Sequence, residues 1–261
     1  MSVIDNNHKM PNKIFSKNLF IAFKLYHNCD KVKSVMMNLN YLFDDIREMQ
    51  ACWVEDCATD VADLVAAVDT VLESGVSLLS APCGAVGEIW PWVEKNDIKI
   101  LNRFNFVIDK DVIGAVSELS RSVTGAFRSG AVGAQVLVHV ADLAQFCDAM
   151  KPVRNDLFFD KTFSVAIEID EMRGQNWSVV FDTLRAIAPD AILIMAHGDS
   201  FDANSDFVGI VFDMLNNWNL KSDLHLWFGK NMFRVSQVLR LCEKIQPDLV
   251  QNIRVFTGVK G

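Results

Sequence analysis

Five polar side chains end or follow short apolar runs of this chain, and their types suit proton transfer. They are two histidines and three carboxylates, namely His139, Glu168, Asp170, His197 and Asp199. Histidine titrates near neutral pH, and burial brings a carboxylate toward the same range. The set predicts acid–base chemistry, with Glu168 or Asp170 as the base. A histidine, His139 or His197, would be the partner acid or would stabilise an oxyanion.

The same residues offer a metal-dependent alternative. His139, Glu168 and His197 would bind zinc or manganese with one position open for substrate. No HxH or HxxxH spacing supports such a site. We therefore favour the interpretation that requires no cofactor, and keep a divalent metal with lyase or hydrolase chemistry as the alternative.

Other residues are candidates for binding an anionic group of the substrate. Arg103 suits a carboxylate or phosphate, although a salt bridge under the helices fits it equally well. Two glycine-containing turns, Gly229 with Lys230 and the segment around Gly258, would present backbone amides to a phosphate. The alternative for the first turn is that Asn231 caps the next helix.

A lysine and a cysteine remain as reactive side chains. Lys24 ends the run LFIAFKLY (19–26) and is a candidate base or electrophile, or a side chain that only reaches toward water. No lysine ends any of the fourth to sixth predicted strands, so a Schiff-base aldolase is disfavoured. Cys83 follows Pro82 and is a candidate nucleophile, but no base is identified for it.

Strand-length apolar runs recur along the chain and alternate with stretches of helical periodicity. The predicted strands lie at 76–82, 98–106, 135–140, 163–170, 191–199, 223–228 and 253–258. Glycine or Pro-Asp breaks precede several of them, as at Gly75, Gly130 and Pro189-Asp190. Near-continuous apolar strands between amphipathic helices predict a parallel sheet covered by helices.

With these strands and breaks, residues 15–261 resemble the (βα)8 or TIM-barrel superfamily. The resemblance implies an α/β fold with a single barrel and an active site at the carboxyl-terminal mouth. A flavodoxin-like open sheet is the alternative, disfavoured because at least seven strands are present. For the first strand we prefer 19–26 over 50–56, because no turn signal separates residues 47–49 from Gln50. This choice leaves an extended helical amino-terminal region over 31–74. Separately, we expect no clear final helix, because only a few residues follow the last predicted strand.

Alternation along each strand then orients the polar residues. His139 shares a face with Gln135, Glu168 with Asp170, and His197 with Asp199. An inward charge is costly unless water, a ligand or another polar group meets it. We therefore expect these strand ends to converge on one cavity at the barrel mouth.

Each of these polar residues also has a purely structural interpretation. His197 before a glycine fits a loop, and His139 fits a core histidine bonded to backbone. Asp170 and Asp199 fit caps of the following helices. His225, deeper in its strand, is expected to pack in the core.

Composition narrows the class of protein. The 261 residues carry a formal net charge of −8, with a sequence pI near 5.1 and no concentrated basic patch, which disfavours nucleic acid as a partner. The six cysteines show no paired spacing, and no run is long and apolar enough for a membrane span. We expect a cytoplasmic protein with one domain over 1–261, in which 1–14 form a flexible or accessory segment.

Three functions are compatible with the sequence. The favoured one is a lyase or isomerase that acts on a small carbonyl or phosphorylated substrate. The metal-dependent lyase or hydrolase is the second, and a non-catalytic barrel that serves as a binding or scaffold protein is the third. The expected partner is a small-molecule substrate, and assembly into a homo-oligomer stays open.

Overall fold

Eight parallel strands form a closed barrel in the computed structural model, which describes residues 50–54, 61–109, 111–196, 204–229 and 231–259. Each strand pairs with the next in chain order, and the last pairs with the first. The strands are β1 (Gln50–Val54), β2 (Leu78–Ala81), β3 (Lys99–Asn105), β4 (Gly133–Leu137), β5 (Thr162–Glu168), β6 (Ala191–Met195), β7 (Asp223–Trp227) and β8 (Ile253–Val259).

Helices alternate with the strands along the described chain. They are α1 (Val61–Ser74), α2 (Val86–Val93), α3 (Val112–Arg128), α4 (Leu143–Met150), α5 (Arg154–Leu157), α6 (Trp177–Leu184), α7 (Asn204–Asn217) and α8 (Met232–Ile245). Short 3-10 turns follow several elements, at Glu94–Asn96, Val140–Asp142, Ile169–Met172 and Pro247–Asn252. No helix of the described residues is both long and apolar enough to cross a membrane.

Helix α3 shows how the sequence sets the outer layer. The Asp111 carboxylate accepts a hydrogen bond from the Gly114 backbone at 2.6 Å and caps the first turn. Val116, Leu119 and Val123 recur at helical spacing and are buried. The helix therefore covers the barrel with one apolar face and leaves its polar face in water.

Inside the barrel, alternate residues of several strands pack into one apolar cluster. Its buried members are Ala51, Trp53, Leu101, Ala166, Leu193, Met195, Trp227 and Phe256. The indoles of Trp53 and Trp227 stack with their ring centres 4.5 Å apart. Gly133 of β4 allows close strand packing, because a Cβ atom there would lie 2.5 Å from the Thr162 carbonyl oxygen.

The seven predicted strands and the (βα)8 architecture are confirmed, but the preferred first strand is wrong. Residues 50–54 form β1, where the sequence was expected to be helical. Gln50 through Val54 pair with Val255 through Val259 of β8, and Cys52 and Trp53 pair with β2. These pairs close the barrel with residues 50–54 as the first strand, and residues 19–26 lie outside the described residues.

All described elements belong to one compact unit, Met49–Gly261. The last described element is β8, so no helix after it is described. That residues 1–261 form a single domain, with 1–14 as an accessory segment, stays a prediction.

Candidate active site

A cavity of about 420 Å³ opens at the carboxyl-terminal ends of the strands. Strand ends and the start of the loop after β2 supply its wall. The lining residues are Trp53, Pro82, Cys83, Arg103, Phe104, Asn105, Gln135, Leu137, Ala166, Glu168, Leu193 and Met195. One carboxylate, one guanidinium and two amides thus face an otherwise apolar and aromatic space, the usual make-up of a small-molecule site.

Arg103 is the buried cation of this cavity. Its Nη1 atom donates to the Ser80 carbonyl at 2.9 Å and to the Ser80 hydroxyl at 3.0 Å, and its Nη2 atom donates to the Val54 carbonyl. Its guanidinium carbon lies 3.8 Å from the ring centre of Trp53. These contacts hold the guanidinium against the wall, so it acts as a fixed positive charge rather than a mobile anion clamp.

Asn102 lies on the opposite side of the same strand. Its side-chain amide donates to the carbonyls of Ala81 at 3.1 Å and Pro82 at 2.7 Å. Neighbouring side chains of a strand point to opposite faces, and of these two it is Arg103 that points into the barrel. Asn102 instead fixes the loop that brings Cys83 to the cavity rim.

Gln135 lies in the third position of β4 with only 1% of its surface exposed. The Ser80 hydroxyl donates a hydrogen bond to its Oε1 atom. Its Nε2 atom is buried and has no hydrogen-bond partner among the residues that the structure describes. The sequence placed Gln135 on the inward face, but its contact with Ser80, 55 positions away along the chain, has no sequence signal.

Glu168 is the carboxylate of the cavity. It is the last residue of β5, is half-buried, and lies on the inward face with Ser164 and Ala166. Alternation along the strand predicted this orientation. Among the candidate acid–base residues that the structure describes, Glu168 alone lines the cavity, and the candidate nucleophile Cys83 lies at its rim.

Asp170 does not reach the cavity, and its expected inward orientation is wrong. Strand β5 ends at Glu168, and residues 169–172 form a 3-10 turn in which strand alternation no longer applies. The Asp170 carboxylate instead lies 3.4 Å from a guanidinium nitrogen of Arg173.

His139 is likewise outside the cavity, because β4 ends two residues before it. Its side chain is 59% exposed, and its Nδ1 atom is bonded to the Glu171 carboxylate, whose other oxygen accepts from the Val140 backbone at 2.6 Å. The hydrogen bond with Glu171 and that residue's charge raise the pKa of His139 above its usual value. The pair joins the turns that follow β4 and β5. The sequence analysis did not identify Glu171, because it lies beyond the end of β5, where strand alternation gives no information.

Several predicted residues lie outside the described residues, namely Lys24, His197, Asp199 and Lys230. Their assignments stay predictions. Within the described residues, no group of three or more His, Cys, Asp or Glu side chains is arranged to hold a metal ion.

The predicted anion-binding turns are only partly as expected. Gly229 has a φ of +56° and forms a turn after β7. Asn231 caps α8, since its Oδ1 atom accepts from the Arg234 backbone at 3.2 Å, which supports the structural alternative. Gly258 lies inside β8 and pairs with Trp53, so the expected turn at that glycine is wrong.

The pKa values of Cys83 and His225, which the sequence analysis singled out, are also shifted. Desolvation raises the pKa of the Cys83 thiol, which disfavours the thiolate that a nucleophile requires. His225 is buried in the barrel with its ring centre 5.4 Å from that of Phe256, and burial lowers its pKa to about 3. The expected core position of His225 is therefore confirmed.

Known families and curated proteins give no match to this chain. Among solved structures, a Toxoplasma gondii ME49 protein that carries the name deoxyribose-phosphate aldolase aligns with a TM-score of 0.64. Its sequence identity is 14%, over 85% of this chain and 92% of its own.

Two further structures show the same architecture. A tetrameric deoxyribose phosphate aldolase from Aeropyrum pernix gives a TM-score of 0.59 at 12% identity, over 82% of this chain and 86% of its own. An aldolase named QR15 gives a TM-score of 0.60 at 11% identity, over 82% of this chain and 91% of its own. At such low identities the similarity establishes the fold alone, and it confirms the predicted TIM barrel.

Proposed function

We propose that this barrel is an enzyme of lyase or isomerase type that removes a proton next to the carbonyl group of a small substrate. Glu168 is the general base. The observation that carries the proposal is the position of this carboxylate at the end of β5, in a cavity at the carboxyl-terminal mouth of the barrel. Active sites of TIM-barrel enzymes lie at this face of the fold.

The surroundings of Glu168 support this role. Leu137, Ala166, Leu193 and Met195 line the same cavity, and a bound molecule would displace water from these apolar side chains. Electrostatic interactions become stronger where water is excluded. When Glu168 takes the proton, the electron pair of the C–H bond moves toward the carbonyl oxygen, and the buried charge of Arg103 stabilises the negative charge that develops.

Return of the proton to the former carbonyl carbon of a hydroxy-carbonyl substrate, with the hydroxyl proton passing to the carbonyl oxygen, would complete an isomerisation. Expulsion of a β-hydroxyl group, which takes the proton from Glu168 and leaves as water while the enolate forms a C=C bond, would complete a lyase reaction. Covalent activation of the carbonyl as a Schiff base requires a lysine amine. No lysine lines the cavity in the part of the chain that the structure describes. This supports a mechanism based on proton transfer and fixed charges.

The proposed substrate is a small carbonyl compound, with or without a phosphate group. A cavity of about 420 Å³ is at the lower end of the range for small-molecule sites. Two of the structurally similar proteins are named for deoxyribose phosphate, so this compound belongs in the first set to be tested. We also propose that Gly229, which follows β7 at the same end of the barrel, and Lys230, which lies outside the described residues, hold the phosphate.

Proton exchange tests the proposed first step by itself, whichever reaction follows it. The protein is incubated in deuterated water with sugar phosphates, triose sugars and keto acids, and loss of the proton next to the carbonyl is followed by NMR. We expect exchange for at least one compound, and a decrease of about a hundredfold or more in Glu168→Gln.

Asp170→Asn is the matched control, because this carboxylate is two residues away but bonds to Arg173. It should exchange at the wild-type rate. Equal rates in Glu168→Gln and wild type would refute the role of Glu168. No exchange together with no thermal stabilisation by any compound or divalent ion would favour the non-catalytic binding or scaffold protein.

A further inference from the structure

The amide of Gln135 has its orientation fixed by a chain of hydrogen bonds. Arg103 only donates, so the Ser80 hydroxyl accepts at the 3.0 Å contact between them. The hydroxyl proton of Ser80 is donated to the Oε1 atom of Gln135. The Nε2 atom is therefore the end of the amide that is turned away from Ser80.

That nitrogen has hydrogen atoms to donate and no acceptor in the described structure. Gln135 is 1% exposed, and Nε2 itself is buried without a partner. Ser164 pairs with Gln135 in the barrel, and its buried hydroxyl also lacks a partner among the described residues. A buried donor without a partner destabilises the fold, so such groups call for an explanation.

We infer that the Gln135 Nε2 atom is a ligand-binding group, which donates a hydrogen bond to an oxygen atom at the deep end of the bound molecule. Gln135 lines the cavity, and a small local rearrangement on binding brings a ligand oxygen into contact with the buried Nε2 atom. The inference rests on the proposed function, because the ligand occupies the same cavity. It adds a specificity-determining residue, and Ser80 and Arg103 become positioning residues that keep the amide nitrogen pointed at the ligand.

The register of the strands separates this donor from the proposed base. Gln135 pairs with Ser164, and Glu168 is four residues farther along β5. At about 3.3 Å per residue, this corresponds to roughly 13 Å along the strand. This is the spacing of the backbone positions, and the two side chains shorten the span that a ligand bridges. A ligand that contacts both residues has one oxygen at its deep end and the reacting carbon nearer the mouth.

NMR of the glutamine side-chain amides tests this binding directly. The Gln135 signal is identified by its loss in Gln135→Met, a substitution of similar length that retains no donor. Dihydroxyacetone, erythritol and pyruvate are then titrated separately. We expect a saturable shift of the Gln135 signal with at least one probe. Preference for pyruvate would mean that the deep oxygen belongs to a carboxylate, and preference for the other probes would mean a neutral oxygen.

Affinity gives the second measurement. Gln135→Met should bind the probe that shifts the signal about tenfold more weakly, with an unchanged circular dichroism spectrum. Ser80→Ala should weaken binding less, because the amide keeps its donor and loses only its fixed orientation. The inference would be overturned if none of the three probes shifts the Gln135 signal. It would also be overturned if Gln135→Met binds the probe with wild-type affinity.

The proposed function and this inference fail in different ways. Glu168→Gln should keep probe binding and lose proton exchange. If Glu168→Gln exchanges normally while Gln135→Met loses affinity, only the proposed base is wrong. If Glu168→Gln loses exchange while Gln135→Met binds normally, only the role of Gln135 is wrong.

Discussion

The buried imidazole of His225 predicts how the stability of the barrel depends on pH. Its side chain is 4% exposed, and burial lowers its pKa from 6.5 to about 3, with a smaller contribution from the charge of Arg254. The unfolded chain therefore takes up a proton near pH 6.5, whereas the folded protein keeps this histidine neutral. The free energy of unfolding falls as the pH decreases from 6.5 toward 3.

The size of this effect follows from the pH interval between the two pKa values, about 6.5 in the unfolded chain and about 3 in the folded protein. Each pH unit of decrease within this interval lowers the free energy of unfolding by about 1.4 kcal/mol. At about pH 5.5, one unit below the unfolded pKa, the expected loss relative to pH 8 is therefore about 1.4 kcal/mol. This pH remains above the sequence pI of about 5.1, where solubility is lowest.

His225→Leu isolates the contribution of this residue. The variant has a side chain of similar size without a titrating group, and the Nδ1 atom of His225 has no hydrogen-bond partner among the described residues. Urea unfolding is followed by tryptophan fluorescence near pH 8 and pH 5.5. The difference in unfolding free energy between the two pH values should be about 1.4 kcal/mol smaller in the variant.

A second histidine supplies a control of opposite sign. Glu171 raises the pKa of His139, so their interaction stabilises the fold below pH 6.5 and is lost as the pH rises through that raised value. His139→Gln should therefore lose stability selectively at low pH. Equal pH dependence in wild type and His225→Leu would refute the assignment of a neutral buried imidazole.

Three further substitutions test the structure by unfolding experiments. Gly133→Ala should destabilise the fold by at least about 2 kcal/mol, because its Cβ atom would collide with the Thr162 carbonyl. Gly209→Ala is the control and should be neutral or stabilising, since Gly209 is exposed in α7 and no atom lies near its Cβ position. Equal effects would contradict this packing. Asp111→Ala should lower the free energy of unfolding by about 1 kcal/mol, because it removes the side chain that caps α3. Asp111→Asn should keep most of the stability, since asparagine is also a good helix cap. Glu168→Ala should leave stability unchanged or raise it, and a large loss would indicate a structural role.

The barrel could be predicted from the sequence because parallel strands buried on both faces leave continuous apolar runs. Seven strands follow from such runs. The eighth, QACWV at 50–54, is short, and its sequence neighbours carry no turn signal. Its position is fixed by pairing with β8, which lies about 200 residues farther along the chain. Pairing over such a distance leaves no pattern in the sequence around residues 50–54.

The candidate site was predictable only as far as strand alternation extends. Glu168 ends its strand, so alternation places it correctly. His139 and Asp170 lie just past the ends of β4 and β5, where the backbone turns and the rule no longer holds. Gln135 was on the predicted face, but its fixed amide depends on contacts with β2 and β3 that only the folded barrel creates.

The ends of β6 and β7 show why the fold does not settle the chemistry of this protein. Met195 ends β6 in the cavity wall, and Trp227 ends β7 with its indole stacked on Trp53. Neither side chain is a nucleophile or a base, so neither forms a covalent intermediate with a carbonyl compound. The described cavity instead offers the Glu168 carboxylate, a tethered guanidinium and an oriented amide. These groups are suited to moving a proton and binding oxygen atoms, and proton exchange is therefore the activity to measure first.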